Sequence, residues 1–282
     1  QMWRNVFRSR SLQTRSTSPN ASRFMIVAYY KSGATLSLEL ARLPELTRLV
    51  LGGYSGSPLW MRSLWTDTSP SFQRGLRLQE GLRRQIFCWI APSEMGHPEI
   101  LNNYLRSGES RVVHMVRKPS ELIVSAYLYH LHSLEPWERL SDPPNCNNCD
   151  HGAWRSIFSA CNFNCSYQSL LQMSSMKDGI EIEIKRARWE ILKMMYNMKL
   201  WRGSHALSLS LSHFSNDFDA SVRCLVSFWL EGLQPPLFGA TMEALLARAR
   251  VAGRQSKKYQ TAPEKVREAK EHLDSLVHQD QY

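Results

Sequence analysis

Nothing in the 282-residue chain is a run of eighteen or so apolar residues, so no segment has the sequence of a membrane-crossing helix. The pattern Gly-x-x-x-x-Gly-Lys-Ser/Thr is missing, which argues against ordinary nucleoside-triphosphate hydrolysis. No helix-turn-helix, RNP or zinc-finger spacing accompanies a basic helix, and nucleic acid is therefore not the expected partner. Acidic residues are absent from Gln1 to Arg23, where Arg4, Arg8, Arg10, Arg15 and Arg23 lie among serines without an apolar face. That segment reads as a flexible basic tail, either an organelle-targeting presequence or the flank of an upstream segment. Cysteine is scarce, six in all, and four of the six crowd into one stretch.

What is present is a basic and moderately apolar chain, with formal net charge +10 and 43% hydrophobic residues. The apolar fraction suffices for one large core, so residues 24–282 read as a single domain with a cysteine-containing insertion at about 134–165. The positive charge suits a ligand bearing several phosphates or a sulfate.

Phe24-Met25-Ile26-Val27-Ala28-Tyr29 is an apolar run of strand length, and Thr35 to Leu46 has helical spacing. Between them lie Lys31, Ser32, Gly33, Ala34 and Thr35. Small residues let the backbone bend tightly, and a helix start leaves N–H groups unpaired, so the loop is a natural anion cradle. Lys31 adds a mobile charge, and the hydroxyls of Ser32 and Thr35 add donors. A second apolar run, Arg111 to Val116, ends in Arg117-Lys118-Pro119, and Ser125 follows eight residues after Arg117. A guanidinium fork at a strand end and a hydroxyl about two helical turns later would face one phosphate.

These two segments, in this order, resemble the 5′-phosphosulfate loop and the 3′-phosphate segment of the PAPS-dependent sulfotransferases. Tyr30 stands where that family usually has proline, and Ala34 where it usually has a hydroxyl residue. The segments Ser166–Leu171, Asp178–Glu183 and Asp217–Ser221 are similar to the acceptor-side region of the wider superfamily, particularly its bacterial and algal members.

The resemblance implies an α/β fold: a three-layer sandwich with a mainly parallel central sheet, of the P-loop NTPase-like sulfotransferase type. It implies PAPS as sulfuryl donor, with no metal required. Lys31 would meet the oxygen bridging phosphate and sulfur. The N–H groups of Ser32, Gly33, Ala34, Thr35 and Leu36 would hold the 5′-phosphate, and Arg117 and Ser125 the 3′-phosphate, with help from Arg254 or Lys257 in a basic loop around Gly253. The strand Gln85–Pro92 carries Ile90 where cytosolic members place a catalytic histidine, so Glu94 and His97 are the candidate bases. The acceptor is an unidentified hydroxyl or amine. Two alternatives are a P-loop kinase-like phosphotransferase and a catalytically degenerate sulfotransferase-fold binding protein.

Elsewhere, His114 reads as a core or cleft-edge residue, and the helix from Ser120 as reaching His132. Cys146, Cys149, Cys161 and Cys165 form disulfides, bind zinc or stay free, and these options remain open from spacing alone. Ile180 to Trp201 has helical spacing, with Glu183 and Arg186 outside and Ile191, Leu192 and Met195 inside. His205–Phe214 alternates like a strand, while Asp217–Leu230 and Pro263–Val277 are helical. Oligomeric state and compartment are not specified; the sequons Asn20-Ala21-Ser22 and Asn164-Cys165-Ser166 matter only on a secretory route.

Overall fold

Four short strands form the centre of the fold. They are β1 (Arg23–Tyr29), β2 (Gln85–Ala91), β3 (Ser110–Val116) and β4 (Ala206–Ser210). In β1 and β3 apolar residues buried on both faces favour parallel pairing. All pair in parallel in the order β2-β1-β3-β4, with Phe24 opposite both Ile86 and Arg111. The computed structural model describes residues 23–29, 31–51, 85–91, 110–139, 151–200, 205–230, 238–256 and 263–279.

Ten helices are present among these residues. They are α1 (Ala34–Ala41), α2 (Pro44–Leu51), α3 (Pro119–His130), α4 (His151–Ser159), α5 (Tyr167–Met173), α6 (Met176–Leu200), α7 (Leu211–Asn216), α8 (Phe218–Leu230), α9 (Phe238–Ser256) and α10 (Pro263–Gln279). The period of two in β1 divides the core. Phe24, Ile26 and Ala28 pack with Leu40 of α1, Leu46 of α2, Trp229 of α8 and Leu245 of α9. Met25, Val27 and Tyr29 face the other way, against Leu122 of α3 and Ala187 and Met194 of α6. The result is three layers, helix on sheet on helix, as the sequence led us to expect. Each fully buried Leu, Ile or Phe in these layers contributes about 1.5–3 kcal/mol. A further cluster joins α3 to α4, α5 and α10 through Tyr127, Phe158, Tyr167 and Leu273.

Several boundaries differ from the sequence expectation. The first helix breaks at Leu43, and Pro44 opens a second one, where proline's missing N–H costs nothing. β4 stops at Ser210, whose hydroxyl accepts from the N–H of Ser212 and starts α7, so Leu211–Phe214 is helix and not strand. α3 ends at His130, with His132 in the turn beyond it. α6 begins before Ile180 because Ser175 caps it: its Oγ accepts from Asp178 N–H at 3.2 Å and donates to Asp178 Oδ2 at 2.6 Å. The cysteine-containing insertion holds a 3₁₀ turn at Pro136–Arg139 and α4.

Cys161 and Cys165 form a disulfide, which removes both from any four-cysteine zinc site. Cys146 and Cys149 lie outside the described residues. No helix among the described residues is long and apolar enough to cross a membrane.

Candidate anion site at the carboxyl end of the sheet

β1 sits between β2 and β3, so the crevice beyond its carboxyl end is where the strand order reverses. Open α/β sheets bind ligands at such a point, since neighbouring connections leave toward opposite faces. The chain leaving β1 turns at once. Ser32 N–H donates to Tyr29 O at 3.0 Å, and the Ser32 hydroxyl accepts from Tyr29 N–H at 2.6 Å and donates to Tyr29 O at 2.9 Å. Ser32 is fully buried. Both of its donors, the N–H and the hydroxyl, are engaged within the turn.

Lys31 (φ 57°) and Gly33 (φ 110°) adopt left-handed backbone conformations, which reverse the chain into α1. The first intrahelical bond runs from Ser37 N–H to Gly33 O at 2.8 Å. The N–H groups of Ala34, Thr35 and Leu36 therefore lie before the ladder and point out of the helix end, where the dipole favours negative charge. Thr35 is exposed at this end, while Leu36 is buried in the core.

β3 delivers the second element. Arg117 follows it, and Pro119 takes the first position of α3, where its fixed φ suits a helix start. Arg117 Nη1 donates to Lys31 O at 3.0 Å, and its Nε lies 3.9 Å from Glu121 Oε2. Burial lowers the pKa of Arg117, which remains a cation at any physiological pH. Ser125 is half-buried two turns into α3. The structure thus joins Lys31 and Arg117, read from separate segments, at one crevice.

The Lys31 ammonium sits 2.7 Å from the centroid of the Tyr129 ring. Burial lowers its pKa to about 7, opposed by the carboxylates of Glu135, Glu138 and Glu183 and reinforced by Arg186. Behind Tyr129 lies a buried polar network. His130 Nδ1 lies 2.8 Å from Glu183 Oε2, which also accepts from Tyr167 OH at 2.6 Å, and Arg186 Nε donates to Glu183 Oε1 at 2.7 Å. Burial alone would raise Glu183; Arg186 and His130 reverse this and bring it to about 2. Glu138 is fully buried, with its Oε1 3.4 Å from His130 Nε2, and burial pushes it up to about 7.

Sequence reading missed this network. It placed Glu183 and Arg186 on the outer face of α6 and Leu192 on the inner one, whereas Glu183 is fully buried, Arg186 nearly so, and Leu192 is 46% exposed. Charge was taken as a sign of exposure, and only the tertiary pairing of Glu183 with Arg186, His130 and Tyr167 overrides it. His114 is fully buried, as expected, and burial lowers its pKa to about 3.

Glu94, His97 and Lys257 lie outside the described residues. Gly253 and Arg254 belong to the last turn of α9 and not to a loop. A Cβ on Gly253 would come within 2.7 Å of the Phe218 ring, so this glycine serves the close approach of α9 to α8. Among the described residues no cluster of His, Cys, Asp and Glu has the makings of a metal site.

No protein-family model matches the chain, and no curated protein matches it by sequence. Among solved structures it is similar to the mouse sulfotransferase SULT7A1 complexed with PAP, at 15% identity and TM-score 0.43, over 86% of this chain and 68% of that one. It is also similar to retinol dehydratase in complex with androsterone and the inactive cofactor PAP, at 13% identity and TM-score 0.44, over 92% and 81% of the two chains.

Proposed function

We propose that the chain is a PAPS-dependent sulfotransferase acting on a hydroxyl or amine acceptor. The observation that carries this reading is the bond from Arg117 to the Lys31 carbonyl, which brings the Lys31 loop and the segment after β3 together at the reversal of strand order. The donor set fits the ligand: a helix end with outward N–H groups, a planar guanidinium and a lysine ammonium suit two phosphates and a sulfate.

The N–H groups of Gly33 to Leu36, with the Thr35 hydroxyl, would hold the 5′-phosphate. Arg117 and Ser125 would hold the 3′-phosphate, with Arg254 or Lys257 completing it. PAPS supplies the sulfuryl group, which passes to the acceptor as the sulfur–oxygen bond to phosphate breaks. Lys31 would neutralise the charge gathering on that phosphate oxygen, and Glu94 or His97 would take the acceptor's proton. By analogy with phosphoryl transfer, the protein contributes positioning and electrostatics.

Calorimetric titration with PAP, AMP and ATP tests the reading. Tight binding of PAP alone is expected, and preference for ATP or no binding would overturn it. Transfer from labelled PAPS should then fall about 10²–10³-fold in Lys31→Ala while the fold persists; near-normal turnover would remove the phosphosulfate-loop assignment.

A further inference from the structure

Lys31 is held at both ends. Its carbonyl accepts from Arg117, and its ammonium lies on the face of Tyr129. The face of a tyrosine ring carries negative charge density, and a partly desolvated ammonium gains most from it. Tyr129 is itself fixed, because its hydroxyl donates to Glu135 Oε1 at 2.8 Å. Glu135 is clamped in turn: its Oε2 accepts from Trp137 Nε1 at 2.6 Å, and its N–H donates to Ser133 Oγ at 3.1 Å. Gln168 Nε2 donates to Ser133 O at 2.7 Å, and Trp137 stacks on Tyr167 with centroids 5.6 Å apart. This chain of contacts ties the Tyr129 hydroxyl, through Glu135 and Trp137, to the buried Tyr167.

We propose that Tyr129, locked by Glu135, is a positioning residue that seats the Lys31 ammonium over the crevice, its catalytic consequence resting on the sulfotransferase reading above. The seat limits the arc through which the flexible lysine stem moves, so the charge stays where a developing phosphate oxygen would need it. A phenol that donates to a carboxylate also has a more electron-rich ring, and Glu135 thereby strengthens the contact without touching the ammonium. No spacing motif marks Tyr129; it lies twelve residues after Arg117 on the far end of α3.

The test uses the full chain labelled with [13C]lysine, the Lys31 signal being assigned by its loss in Lys31→Arg. Ring current should move the Lys31 Hε resonance strongly upfield in the wild type and in Tyr129→Phe, and Tyr129→Leu should return it to the ordinary lysine position. With PAPS as donor, Tyr129→Leu should lower kcat about tenfold with KM for PAPS within about threefold, and Tyr129→Phe, which keeps the ring but loses the Glu135 lock, should recover only part of the loss. Thermal denaturation of each variant shows whether it is folded. An unshifted Lys31 resonance in the wild type would overturn the proposal, as would wild-type kcat in a folded Tyr129→Leu. A wild type that shows the shift yet binds no PAP would refute the cofactor reading and leave the seat standing.

Discussion

The guanidinium of Arg117 donates to the carbonyl of Lys31 at 3.0 Å, so one side chain both faces the crevice and braces the loop beside it. Replacing it should therefore cost more than one phosphate contact. In Arg117→Lys the fork is lost and the shorter, rounder cation cannot serve carbonyl and phosphate together. Affinity for PAP should fall about tenfold or more, and that for AMP much less. Turnover should fall as well, because the Lys31 loop loses its brace. Equal losses for PAP and AMP in calorimetry would remove the 3′-phosphate role.

Proton uptake should accompany binding. Burial holds the Lys31 ammonium at about 7 against 10.5 for a free lysine. Between these values the unfolded chain binds more protons at this position than the folded one, so the Lys31 contribution to stability rises with pH across that window. An anionic ligand reverses the shift by favouring the charged form. At pH 8, PAP binding should thus take up close to one proton, read as a binding enthalpy that varies with the buffer's ionisation heat. Lys31→Met should abolish that variation, and a buffer-independent wild type would contradict the assignment.

Gly33→Ala should harm both fold and site. The position has φ 110°, where a Cβ costs about 1–2 kcal/mol. The added atom would also stand 3.2 Å from Leu211 Cδ1 and Met115 Cε, within the packed layer under the loop. Urea denaturation should show the loss, and PAP titration of the folded fraction should show weaker binding because the donors of α1 have been re-aimed.

Glu138→Gln should stabilise the chain in a pH-dependent way. Burial raises Glu138 from 4.5 to about 7, so the folded state holds a proton that the unfolded state has released in between. Its effect on stability is neutral below about pH 4.5, becomes unfavourable as pH rises toward 7, and is complete above that. At pH 8 the glutamine variant should be more stable by on the order of 1–3 kcal/mol, with no difference at pH 4. A variant less stable than wild type at pH 8 would show that the ionised carboxylate is welcome in its network.

The parallel sheet and the two segments that meet at Lys31 and Arg117 were legible because local physics writes them locally. Apolar runs of strand length, a lysine beside small residues, and Arg117 before Pro119 each carry their meaning within a few positions. The acidic surroundings of Lys31 were not legible. Glu183 and Arg186 look like a solvated pair on α6 until His130 and Tyr167 arrive from elsewhere to bury them. Ser210 was read as mid-strand because nothing in alternation reveals that its hydroxyl will cap α7. Gly253 looked like loop chemistry, and its reason is instead the ring of Phe218, thirty-five residues earlier in the chain.

Helix α3 has a consequence as a ruler. Arg117 precedes it, Tyr129 is its penultimate residue, and between Pro119 and Tyr129 the axis advances about 15 Å. The Arg117 side chain and the Lys31 stem cover that span together, the guanidinium holding the Lys31 carbonyl and the Tyr129 ring its ammonium. One added residue within α3 would lengthen the span by about 1.5 Å and swing the far mark by about 100°. The interval between the arginine and the tyrosine is therefore gauged to an arginine and a lysine side chain laid end to end, and the two cannot drift apart in sequence without releasing the lysine.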